Sequence, residues 1–167
     1  MVETVFLGDI LDLAIGLEKV GADFYVRASN QTDSAGTRSV LTELARMEQE
    51  HGRSFSGLKD MISGGSDLPL ETQPDKAAVR YLESWTEDSI GGIGLRYASL
   101  TGAESDEDIM RIAIEREKDT IAYYTGLCRL FTGVTREMLD RIIMQEMDHY
   151  ATLKKTLNTI ESLKSKV

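Results

Sequence analysis

The sequence predicts an all-α protein, a four-helix bundle of two helical hairpins joined by a long crossover that carries a short extra helix. Three observations predict it. Apolar residues recur at steps of three and four through four long stretches, the signature of amphipathic helices. The only two prolines, Pro69 and Pro74, lie close together near the middle and leave two long proline-free halves. The second half also repeats the first at a nearly constant offset.

Each element follows in order. Leu7, Leu11, Ala14, Glu18, Ala22 and Tyr25 form one stripe, and Leu41, Leu44, Glu48, His51, Phe55, Leu58 and Ile62 a second, which places helices at about 5–31 and 37–62. Between them Asn30 to Gly36 reads as a turn. Ala113, Glu117, Thr120, Tyr124, Leu127 and Phe131 form a third stripe, and Leu139, Ile142, Glu146, His149, Leu153, Leu157 and Ile160 a fourth, giving helices at about 105–131 and 136–163. Ser105 is placed to cap the third helix, with Asp106, Glu107 and Asp108 complementing its dipole. Gly133 is expected to end that helix and Thr135 to cap the next. The crossover, 63–104, is too long to be structureless, and Ala77, Ala78, Tyr81, Leu82 and Trp85 have the spacing of a short helix. Gly91-Gly92-Ile93-Gly94 does not read as a phosphate loop, because no lysine follows at the required spacing and no strand precedes it.

Composition bounds the function. The 167 residues are expected to form one domain, and 41% hydrophobic with 28% charged is a globular balance. A net charge of −9 argues against a nucleic-acid partner, which requires clustered basic residues. No apolar run is long enough to span a bilayer, so no membrane partner is expected. Glu3, Asp9 and Asp12 make the N-terminus read as mature helix rather than signal peptide, and a cytoplasmic location is expected. A single cysteine, Cys128, excludes a disulfide or a four-cysteine metal site within these residues and is expected to be a buried apolar side chain. Met47, Met144 and Met147 are expected to fill the core.

Chemistry is signalled where polar residues interrupt apolar stripes. Glu48 and His51 lie between Leu44 and Phe55, and Glu146 and His149 between Ile142 and Leu153, each pair three apart on one helix face. The repeat relates Glu48 to Glu146, His51 to His149, Glu18 to Glu117 and Tyr25 to Tyr124. With 15 glutamates in the chain, the chance that both of its histidines have Glu three residues earlier is about 0.8%, so the pattern is not compositional. Four inward carboxylates cannot all stay ionised in a dry core. Two divalent metal ions balance them, whereas one would leave two charges uncompensated. Glu18, Glu48, His51, Glu117, Glu146 and His149 thus form a candidate ligand set for iron, with manganese or zinc also admitted, and Glu48 and Glu146 as candidate bridges. Tyr25 and Tyr124 are candidates for hydrogen bonding beside the metals.

With these residues in view, the sequence resembles the rubrerythrin branch of the ferritin-like superfamily, over all four long helices. The resemblance implies a di-iron centre that reacts with peroxide or dioxygen, in a family that commonly forms homodimers. Two departures are visible. Rubrerythrins proper have a further glutamate one turn beyond the third-helix ligand, where this chain has Thr120, and a four-cysteine rubredoxin-like domain that one cysteine cannot supply. An external electron donor, such as a rubredoxin-like protein, is therefore implied. A ferritin-like ferroxidase, a di-iron hydroxylase and a metal-free structural bundle are the competing readings.

Overall fold

The structure is a computed structural model that describes residues 4–64, 70–71, 73, 75–89 and 100–165. Five helices occur among them: α1 (Thr4–Gln31), α2 (Ala35–Ser63), α3 (Lys76–Ser89), α4 (Asp106–Cys128) and α5 (Gly133–Lys164). α1 packs along α2 and α4 along α5, and the two hairpins meet through α1 with α4 and α2 with α5. This is the four-helix bundle of two hairpins, with α3 on the crossover packed against α4 and α1. No described helix is long and apolar enough to cross a membrane. The glycine run 91–94 lies outside the described residues.

Local chemistry fixes the helix ends. Ser34 caps α2 by accepting from the Thr37 N–H, and Arg38 donates back to the Ser29 and Thr32 carbonyls, closing the first hairpin tightly. Ser105 caps α4 as the sequence implies, and Asp108 returns the bond to complete a reciprocal capping box. The second hairpin departs from expectation. α4 ends at Cys128 rather than near 131, because Leu130 and Phe131 leave the helix to meet the crossover: Leu70 bridges Phe131, and the Glu71 N–H donates to the Leu130 carbonyl at 3.0 Å. Gly133, at φ 55°, takes a left-handed conformation and opens α5 instead of closing α4, so Thr132 is the cap and Thr135 is buried in the first turn.

The core is split in two. One apolar cluster holds Leu11, Leu17, Phe55, Tyr124 and Ile142, the other Phe24, Leu44, Ala113 and Leu153. Every long helix contributes to both, and fully burying each such large side chain stabilises the fold by about 1.5–3 kcal/mol. Between the clusters each helix supplies its polar residues: Glu18 on α1, Glu48 and His51 on α2, Glu117 on α4, Glu146 and His149 on α5. Met144 and Met147 are not in the core; they are 60% and 44% exposed, because they lie two residues before and one after Glu146 and so point away from its face. Met47 is only partly buried. Cys128 is buried, and burial together with nearby Asp140 raises its thiol pKa to about 11.

Candidate metal centre

All six sequence-designated residues meet in the layer between the apolar clusters, each at most 3% exposed. Their donor atoms form two overlapping groups. Glu18, Glu48, His51 and Glu146 make one and Glu48, Glu117, Glu146 and His149 the other, with the atoms of each within 4.8 Å of one another. Glu48 and Glu146 belong to both. The imidazoles stack with ring centroids 5.7 Å apart and present Nδ1 to the carboxylates: His51 lies 2.7 Å from Glu146 Oε1 and 3.7 Å from Glu18, and His149 lies 3.0 Å from Glu146 Oε2, 3.4 Å from Glu48 and 3.8 Å from Glu117.

The tyrosines complete a reciprocal pattern across the hairpins. Tyr124 Oη donates to Glu18 Oε1, and its repeat mate Tyr25 donates to Glu117 Oε1. Glu18 and Glu117 therefore each have one oxygen anchored and the other, Oε2, buried without a hydrogen-bond partner. Glu48 Oε1, Glu146 Oε1 and His51 Nδ1 likewise lack hydrogen-bond partners; the 2.7 Å approach of the last two lacks hydrogen-bond geometry. Inward lone pairs orphaned in a dry layer, in a mixed carboxylate and imidazole set, fit divalent metal ions. His51 is further oriented by Gln145, whose Oε1 lies 3.1 Å from Nε2 and can accept its proton, leaving Nδ1 free to ligate.

Electrostatics in the metal-free chain tell the same story. Burial, reinforced by Glu48, pushes Glu117 up to about 8 and Glu18 well above the carboxylate range. Burial alone would lower His51, but Glu146 and Glu18 outweigh it and raise it to about 10; Glu117, Glu146 and Glu48 similarly raise His149 to about 12. Glu146 is lowered despite burial, because the positively charged His149 and His51 rings lie against its two oxygens. Protons hold together what cations are built to hold.

Residues 9–157 match the Rubrerythrin family. The chain belongs to that family. A solved structure from Thermotoga maritima, put forward as a ferritin-like diiron-carboxylate protein, superposes on this rubrerythrin-family chain with a TM-score of 0.65 at 24% identity, covering 91% of this chain and 94% of the other. An uncharacterised protein of Archaeoglobus fulgidus is 37% identical over 60 residues, 36% of this chain and 95% of that protein.

Two residues of the site escaped the sequence reading. Arg116, 1% exposed, reaches into the layer, and Gln145 supports His51 from an exposed position. Arg116 sits in the charged run Glu115-Arg116-Glu117-Lys118, which looks like a solvated face; the available signal was its repeat mate Leu17, a core position. Tyr25→Phe and Tyr124→Phe are each expected to lower the stability of the metal-free protein by about 1–3 kcal/mol, since each removes a buried hydrogen bond to a carboxyl group. Chemical denaturation measures the loss.

Proposed function

We propose that this rubrerythrin-family chain is a non-haem di-iron oxidoreductase that reduces peroxide with electrons from an external donor. The observation that carries the reading is the convergence of orphaned, buried carboxylate and imidazole atoms into two overlapping four-residue groups that share Glu48 and Glu146. Family membership and the description given to the Thermotoga maritima protein support iron over other metals. When bound, two Fe²⁺ ions would supply the two electrons that, with two protons, convert hydrogen peroxide to two waters.

The chain's own residues do the rest. Tyr25 and Tyr124 hold protons against the outer oxygens of Glu117 and Glu18 and so aim the inner oxygens at the centre. The two apolar clusters keep bulk water from the layer above and below. Entry is provided from the side. A cleft of about 360 Å³ between α1 and α2 reaches Glu18 and Glu48, and Ala22 and Gly52 keep it open by their small size. It is large enough to admit peroxide or dioxygen, with Lys19, Asp23 and Arg53 also lining it. The electron source in this reading is an external donor such as a rubredoxin-like protein, since one cysteine cannot build a four-cysteine iron relay within these residues.

The test is anaerobic loading with Fe²⁺ followed by rapid mixing with peroxide or with dioxygen. Peroxide is expected to oxidise the loaded protein faster, in one burst that needs added donor to repeat, with iron retained afterwards. Faster oxidation by dioxygen, with Fe³⁺ leaving to form mineral, would replace this reading with a ferroxidase.

A further inference from the structure

The two halves of the centre are not equivalent, and Arg116 makes the difference. Its guanidinium is buried; Nη2 donates to Glu48 Oε2 at 2.6 Å, Nη1 donates to the Leu17 carbonyl at 3.2 Å, and Cζ lies 5.7 Å from the centre of the Tyr25 ring. Gly21 makes the space for it, since a Cβ there would fall 1.7 Å from Nη2. In the repeat Arg116 corresponds to Leu17, and Gly21 to Thr120, so cation and recess occur in one half only.

The consequence falls on Glu48. It and its mate Glu146 are the two carboxylates common to both groups of donors, yet they are differently placed. Glu146 turns one oxygen to each histidine, at 2.7 and 3.0 Å. Glu48 commits Oε2 to Arg116 and keeps only Oε1 for the centre, 3.4 Å from His149 Nδ1. Taking the dinuclear reading above as its basis, we infer that Arg116 is a positioning residue that restricts Glu48 to a single ligating oxygen on the His149 side, so that the two positions fill in order. The position of Glu18, His51 and Glu146 fills first. That of Glu117 and His149 fills second and more weakly, because it is served by half of Glu48. Charge acts in the same direction: four carboxylates and two divalent ions sum to zero, and the guanidinium adds one positive charge to a layer with little water to screen it.

The experiment titrates the metal-free chain with Co²⁺, following binding by calorimetry and by visible absorption. The wild-type chain is expected to bind two ions in resolved steps that differ by about tenfold or more in affinity. Arg116→Leu, which copies the repeat mate, is expected to bind two ions with the second step tightened and the separation narrowed, while the spectrum of the first ion is kept. Arg116→Lys retains the charge and is expected to retain the separation; Arg116→Gln removes the charge but keeps a polar side chain in the recess, and serves if the leucine variant does not fold. Equal steps in the wild type, or a separation unchanged or widened in the neutral variants at a stoichiometry of two, would overturn the role of Arg116 and leave the dinuclear centre standing. Fewer than two ions in the wild type would overturn the dinuclear reading itself.

Discussion

Glu146→Gln is expected to weaken loading of both metal ions on the order of 100-fold or more, while leaving the helical content of the chain in place. The substitution preserves size and removes the charge. Glu146 is the carboxylate with an oxygen against each histidine, so both positions lose a donor at once. The metal-free protein also suffers, because two buried imidazolium rings lose the anion between them, and breaking a buried ion pair costs about 3–5 kcal/mol. Glu48→Gln is expected to weaken loading less, since only Oε1 of Glu48 faces the centre. Exposed Glu50→Gln, whose carboxylate pairs with Arg46 on the surface, is the control and is expected to load normally. Metal titration by calorimetry ranks the three. Glu146→Gln that still binds two ions tightly would show that the convergence of side chains is not a metal centre.

Much of this was readable in the chain because function here interrupts a regular pattern. A carboxylate at a stripe position, such as Glu18 between Ala14 and Ala22, can only be buried, and the repeat then names its counterpart Glu117. The pattern even gave the tyrosines, although not their crossed pairing, which depends on how the hairpins face each other. What could not be read depends on contacts between distant segments. α4 ends early because Leu70, some sixty residues away, pairs with Phe131. Arg116 was hidden by its charged neighbours, and the recess that admits it is on another helix, at Gly21. Hydrophobic character points the methionines to the core, but position does not: Met144 and Met147 lie off the face that Glu146 and His149 define. Symmetry was thus legible as a motif, and the departure from symmetry only as a contact.

The stability that bound metal adds should grow with pH. In the metal-free chain Glu117, raised from 4.5 to about 8, and His51, raised from 6.5 to about 10, are held in their proton-bound forms, as are Glu18 and His149. A group whose pKa is raised by folding contributes stability that is complete below its unfolded value and is lost as pH rises through its folded value. Metal-free stability therefore declines as pH climbs above about 4.5, through Glu117 until about 8 and through His51 between 6.5 and about 10. Glu146 has the opposite sign. Its lowered pKa gives stability that is lost on acidification below the ordinary carboxylate range, so the metal-free protein is best protected between the two limbs. Divalent ions change the upper limb, because they take the place of the protons, and their binding strengthens as competing protons leave. Saturating Mn²⁺ is expected to raise the melting temperature by about 10 °C near neutral pH. The increment is expected to be larger at pH 8.5 than at pH 6, with protons released into the buffer as the ions enter. Melting curves at the two pH values, with and without metal, measure it directly, and surface charges common to both forms cancel from the difference. An increment that stays constant or shrinks as pH rises would mean that metal and protons do not compete for Glu18, Glu117, His51 and His149, and would remove the bound ions from the layer between the two apolar clusters.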